Sequence, residues 1–183
     1  MPATFSGDYA VSVGRASWAK GTWETVSMLS GTSLALAHVG GGDKDDLGRL
    51  ATHAHNCGVE LWIAPRLSSN EMAALMRGAR AVVSMAHGEP FGLTPIEAFS
   101  VGTPALFVDE GGFRDSIVDG QNGRLLARDD ITGWHANLEM AKDSTVREQW
   151  SKAGKERISE LGLSPEDHCR RLLNILDSIH DDA

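Results

Sequence analysis

Short apolar runs alternate with stretches of helical spacing along most of this chain. Tyr9-Ala10-Val11-Ser12-Val13 reads as a strand that ends at Gly14. Residues 20–31 follow with Trp23, Val26 and Leu29 on one side of a helix. The alternation continues with a strand from Leu34 to Val39, a helix from about Asp43 to Asn56 and a strand from Val59 to Ala64. Ser68 and Glu71 make a capping box, and Met72, Leu75, Met76 and Ala79 follow at helical spacing. Ala81 to Met85 is a fourth strand, Pro104 to Val108 a fifth, and Gly123 to Ala127 a sixth. Between the fourth and fifth, Thr94-Pro95-Ile96-Glu97 opens a helix that stops at Gly102. From Ile131 onward the pattern is helical only. Ser164-Pro165-x-Asp167 caps a last helix with Leu172, Leu176 and Ile179 on one face.

Strands alternating with helices over short connections predict right-handed βαβ units. The expected fold class is α/β: a Rossmann-like, three-layer α/β/α arrangement around a parallel sheet. One domain is expected over residues 1–183, with a core at about 9–128 and C-terminal helices at about 130–182. Those last helices would pack beside the sheet or against something outside this chain. In such sheets a ligand sits at the carboxyl ends of the strands. The loops of interest are therefore Gly14 to Lys20, Gly40 to Asp43, Pro65 to Ser68, Ala86 to Thr94 and Asp109 to Phe113, and glycines concentrate in four of these five.

Composition narrows the class. With 183 residues the chain suits one domain of about 100–200 residues. Seventeen Lys and Arg against 25 Asp and Glu leave a net charge of −8, the wrong sign for a nucleic-acid footprint or a polybasic membrane surface. Two cysteines, Cys57 and Cys169, are too few for a disulfide framework, so a reducing, cytoplasmic compartment is expected. No segment has the roughly 20 apolar residues of a membrane span.

Common motifs are missing. Gly40-Gly41-Gly42 falls short of a dinucleotide fingerprint, because Asp45 stands where G-x-G-x-x-G needs its last glycine. There is neither a Walker A loop nor a G-x-S-x-G elbow. His53 and Cys57 share a helix face, but His55 points away, so no metal is expected there.

The segment from His87 to Glu97 is the most informative. Thr94 reads as an N-cap, Pro95 as the first helical residue, and Glu97 as the end of a T-x-x-E capping box. Gly92 and Leu93 approach a helix end whose free N–H groups favour an anion. Capping accounts for Glu97 but not for Glu89. Two carboxylates flanking one anion site suit a phosphate ligand with hydroxyls on both sides, such as a sugar nucleotide. Arg15 and Lys20, in the first strand-to-helix loop, stand at the same sheet edge.

On these residues the chain resembles glycosyltransferase family 4. Gly14-Arg15, four residues, then Lys20-Gly21 is similar to that family's G-R-x4-K-G signature. Glu89-Pro90-Phe91-Gly92-Leu93-Thr94-Pro95-Ile96-Glu97 is similar to its E-x7-E motif. Val101-Gly102-Thr103-Pro104, Gly111-Gly112 and Asp119-Gly120-x-x-Gly123 follow in the family's order, and the likeness covers roughly residues 9–128.

The resemblance implies the C-terminal, donor-binding half of a GT-B fold. Arg15 and Lys20 would hold the donor diphosphate, Glu97 the ribose hydroxyls and Glu89 the transferred sugar. The backbone of Phe91, Gly92, Leu93 and Thr94 would meet the diphosphate and sugar beside Gly14, and Arg66 would lie near the base. Pro65 and Arg66 depart from the family's usual glycine and aromatic or aliphatic neighbour. His87 is read as either a donor contact or a structural loop histidine.

The implied activity is retaining, metal-independent transfer of a hexose from GDP-mannose or a UDP-sugar to a glycan or lipid-linked acceptor, with no cofactor beyond the donor substrate. Glu89, Arg15 and Lys20 would carry the chemistry. An N-terminal acceptor domain, expected to lie outside this chain, would complete the enzyme, and any membrane contact would belong to it. The alternative is a non-catalytic nucleotide-sugar-binding or partner subunit. A nucleotide-sugar epimerase fits the Arg15, Lys20 and double-glutamate set less well.

Overall fold

The computed structural model describes residues 8–164, 166–167 and 169–174. Its strands are β1 (Tyr9–Val13), β2 (Ala35–Val39), β3 (Leu61–Ala64), β4 (Ala81–Ser84), β5 (Ala105–Val108) and β6 (Arg124–Leu126). They form one all-parallel sheet in the order β3-β2-β1-β4-β5-β6. The order reverses between β1 and β4, which opens a crevice at the carboxyl ends of those two strands.

The helices are α1 (Thr22–Leu29), α2 (Lys44–Asn56), α3 (Ser69–Gly78), α4 (Thr94–Val101), α5 (Phe113–Ser116), α6 (Ile131–Met140) and α7 (Ser144–Leu161). α1 packs with α2 and α6, whereas α3, α5 and α7 pack with α4. Sheet and two helix groups make the expected Rossmann-like α/β fold. Both faces of a parallel sheet are covered, so its strands read as continuous apolar runs. Val82, Val83, Leu106 and Phe107 are fully buried at the sheet centre. Burying a leucine or phenylalanine side chain contributes about 1.5–3 kcal/mol. α7 lies so close to α4 that a side chain at Gly154 would strike the Phe99 ring.

Some helices start at side-chain caps. Ser68 and Glu71 form the predicted box, with the Ser68 N–H donating to Glu71 Oε2 at 2.8 Å and the Glu71 N–H to Ser68 Oγ at 3.4 Å. Asp43 Oδ1 accepts the Asp46 N–H at 2.8 Å. Ser164 Oγ likewise accepts the Asp167 N–H at 3.0 Å, as its capping motif predicts. Leu172 is exposed, and Leu176 and Ile179, predicted on the same face, lie outside the described residues.

Three expectations are corrected. α1 starts at Thr22 rather than at residue 20, because Gly21 is left-handed (φ 57°) and pressed against the Met85 carbonyl. β3 starts at Leu61 rather than Val59, whose N–H is still bound to the Ala54 carbonyl as the chain leaves α2. Thr94 is not the N-cap of α4. Gly92 (φ 76°) turns the chain early, so the Leu93 carbonyl takes the first helical bond, from the Glu97 N–H at 3.0 Å. The T-x-x-E capping box therefore does not form. No helix among the described residues is long and apolar enough to cross a membrane.

Candidate functional site

The loop after β1 carries Gly14, Arg15 and Lys20. Gly14 has φ 136°, and a side chain there would press on the Lys20 stem, so the glycine lets that stem lie across the backbone. Gly40, after β2, fits against the Gly14 backbone, which draws the two loops together. Lys20 is fixed at its amide by Ser17 Oγ at 3.3 Å. Arg15 is largely exposed, and its Nη2 stands 3.7 Å from Asp43 Oδ2 at the start of α2.

The loop after β4 carries Glu89, Phe91, Gly92, Leu93 and Thr94. It is held from behind by the turn between β5 and α5. The Gly112 N–H donates to the Glu89 carbonyl at 2.7 Å, and Gly111 and Gly112 press so close on Glu89, Pro90 and Phe91 that neither has room for a side chain. Gly92 meets the Phe113 ring in the same way. The loops after β1 and β4 meet where Lys20 Nζ donates to Glu89 Oε2 at 2.5 Å. Two of the three residues expected to carry the chemistry thus touch, while Arg15 turns to Asp43.

Glu97 lies one turn into α4. With no capping box, its carboxylate has no hydrogen-bond or ion-pair partner among the described residues. It rims a cavity of about 340 Å³ between α3 and α4, lined also by Leu67, Met72, Met76 and Val101. Partial burial in this lining raises its pKa above the usual carboxylate value. A second cavity, of about 710 Å³, opens beyond β2 and β3 between Gly40, Gly41, Pro65 and Arg66. Leu67 and Met72 line both, so the two cavities share a wall. Arg66 is exposed at its edge and makes no ion pair among the described residues.

A cluster that ties the β1 and β4 loops to Glu24 and Arg128 escaped the sequence reading. The Trp18 indole stacks on the His87 ring at 4.3 Å, with an angle of 11° between planes. His87 Nε2 lies 2.9 Å from Glu24 Oε1, and Arg128 Nη1 lies 3.4 Å from the same oxygen. Arg128 also donates to the Met85 carbonyl at 2.7 Å and to Glu110 Oε1 at 3.0 Å. The His87 ring is thus held by Glu24 at Nε2 and by the Trp18 indole on one face. Arg128, far along the chain and in no motif, was visible only as an isolated cation.

Nearby, His53 Nε2 meets Ser27 Oγ at 2.8 Å, the Trp23 carbonyl at 3.2 Å and Cys57 Sγ at 3.6 Å. Among the described residues no three His, Cys, Asp or Glu side chains gather in a way that could hold a metal.

Known proteins resemble this chain in sequence and in fold. The chain is 28% identical over 155 residues to glycogen synthase of Mycobacterium tuberculosis, covering 80% of this chain and 37% of that protein. It is 29% identical over 150 residues to D-inositol 3-phosphate glycosyltransferase of Gordonia bronchialis, covering 79% and 31%. The chain thus spans about a third of the length of these curated relatives. Among solved structures, sucrose-phosphate synthase from Thermosynechococcus elongatus superposes with a TM-score of 0.79 at 21% identity, over 98% of this chain and 48% of that one. The C-terminal domain of a glycosyl transferase group 1 family protein from Francisella tularensis superposes with a TM-score of 0.71 at 24% identity, over 86% and 87%. The family model for glycosyl transferases group 1 matches residues 6–157, and the chain belongs to that family.

Proposed function

We propose that this chain is the donor-binding domain of a retaining, metal-independent glycosyltransferase of family 4. The observation that carries the reading is the meeting of Lys20 and Glu89 at the sheet's switch point, with an unpartnered Glu97 beside it. A nucleoside diphosphate sugar suits this set of groups. Its base would enter the cavity beside Arg66, its ribose hydroxyls would donate to Glu97, and its diphosphate would meet Lys20, Arg15 and the N–H groups that open α4. The sugar would then reach Glu89. Staphylococcus aureus TarM, a structural neighbour with a TM-score of 0.75, is known in complex with UDP, which fits a nucleotide at this edge.

The chemistry follows from where charge develops. The bond between the anomeric carbon and the diphosphate oxygen breaks, and negative charge grows on the leaving group. Fixed cations and N–H dipoles stabilise that charge. On this reading Lys20 and Arg15 supply what a divalent cation supplies elsewhere. A retaining glycosidase pair needs two carboxylates about 5–5.5 Å apart, on opposite faces of the sugar. Glu97, given to the ribose, is not that partner. The acceptor oxygen therefore attacks on the leaving-group face, and its proton passes to a donor phosphate oxygen.

The acceptor, a glycan or lipid-linked sugar, belongs on this reading to a second, N-terminal domain facing the crevice. The donor is a UDP-sugar or GDP-mannose. Saturation-transfer NMR with UDP, GDP, ADP and their sugars, without metal, tests the reading. Transfer to one base and its ribose supports it, and a folded chain that binds none of them overturns it.

A further inference from the structure

The Lys20–Glu89 pair is built into the two loops rather than made by chance on a surface. Gly14 makes room for the Lys20 stem, and Gly21 locks the first loop against the Met85 carbonyl. The Gly112 N–H and the close approach of Gly111 pin the backbone of Glu89. The two heads meet at 2.5 Å, and Glu89 is the less exposed of the two. Among the described residues neither head has another partner. If Lys20 receives a diphosphate, as the reading above holds, that diphosphate competes for an ammonium that a carboxylate already holds.

We propose that Glu89 is an internal occupant of the diphosphate site, so that the site discriminates against a nucleoside diphosphate that carries no sugar. Opening the pair leaves the Glu89 carboxylate short of its cation and close to incoming phosphate charge of the same sign. A partly buried carboxylate in that position is costly unless another donor reaches it. A sugar hydroxyl is such a donor, so a sugar nucleotide compensates Glu89 and a bare nucleoside diphosphate does not. Once the sugar has left, Glu89 loses its hydroxyl partner, takes Lys20 back and favours departure of the diphosphate product. Glu89 is thus a specificity-determining residue that acts on the product as well as on the sugar.

The test is calorimetric titration of the chain with UDP, GDP and ADP at low salt, for the wild type, Glu89→Gln, Lys20→Gln and the double variant, each shown to be folded by circular dichroism. Glu89→Gln is expected to tighten binding of the preferred nucleoside diphosphate on the order of tenfold. That gain should shrink to twofold or less in the Lys20→Gln background, since it arises through the pair. An unchanged or weaker affinity in Glu89→Gln, with the wild type binding, overturns the inference but leaves the donor site standing. An equal gain in both backgrounds also overturns it, because general charge repulsion would then suffice. Binding by Glu89→Gln alone, with the wild type silent, supports it. Silence from both removes this inference and the donor-site reading together.

Discussion

The Gly112 N–H donates to the Glu89 carbonyl at 2.7 Å, which ties the turn after β5 to the loop that presents both Glu89 and the start of α4. Gly112 has an ordinary φ of −72°, so it is there for space rather than for conformation. A methyl group would overlap the Pro90 carbonyl and the Phe91 Cα. Gly112→Ala is therefore expected to push the Glu89 loop away from Lys20. Titration should show at least tenfold weaker binding of the sugar nucleotide, because the displaced loop also carries the N–H groups that open α4, together with a melting temperature lowered by several degrees. Wild-type affinity in this variant would mean that the loop's placement does not matter to the site.

His38 supplies a pH test. Its ring is buried in β2, with Nδ1 2.9 Å from Ser12 Oγ on β1. Burial lowers its pKa to about 4 from an ordinary 6.5, with the Gly41 backbone opposing the shift. The unfolded chain therefore binds a proton more readily between these values, and acid favours unfolding. The stability His38 contributes is full above pH 6.5 and falls as the pH drops toward 4. The loss over that window is about 3 kcal/mol. Urea titrations at pH 7.5 and 5 should show the decline, and His38→Asn should flatten it. The same slope in both proteins would place the acid sensitivity elsewhere.

Arg128 is predicted to be structural. It joins the Met85 carbonyl, Glu110 and Glu24, and so supports the floor of the β4 loop. A hydrogen bond to a charged group contributes roughly 1.5–3 kcal/mol. Arg128→Met should lower stability by about that much, measured by denaturant unfolding. A change under about 0.5 kcal/mol, the usual range for a surface substitution, would contradict this role.

The start of α4 separates a cap from a look-alike. Ser68 caps α3, so Ser68→Ala should cost about 1 kcal/mol. Thr94 is the first helical residue of α4 and makes no capping bond, so Thr94→Ala should change stability by no more than a few tenths of a kcal/mol. Equal losses in both variants would restore the capping role to Thr94.

Much of this fold was legible from periodicity, since the strand runs are apolar throughout and most helices begin at a capping residue. β1 from Tyr9 to Val13 and the end of α4 at Gly102 stand where the pattern puts them. Thr94 misled because a T-x-x-E string is blind to Gly92, whose left-handed turn starts the helix one residue earlier. With the box unformed, the Glu97 carboxylate has no hydrogen-bond or ion-pair partner among the described residues. α5 escaped notice because four residues carry no period. Arg128, Glu24 and the Trp18–His87 stack were hidden because each depends on contacts between residues far apart in sequence. Lys20 and Glu89 could be named individually, but their mutual contact belongs to the sheet order, which brings β1 and β4 side by side.

The central claim is that the carboxyl edge of β1 and β4 binds a nucleoside diphosphate, with Glu97 on the ribose. The most direct measurement is residue-resolved ¹⁵N NMR during titration with UDP, GDP and ADP, repeated on Glu97→Ala. The account predicts saturable amide shifts confined to Gly14, Lys20, Arg66, Gly92, Leu93 and Thr94 for one of the three nucleotides, with affinity at least tenfold lower in the variant. Shifts centred elsewhere, or equal affinity with and without the Glu97 carboxylate, would contradict it.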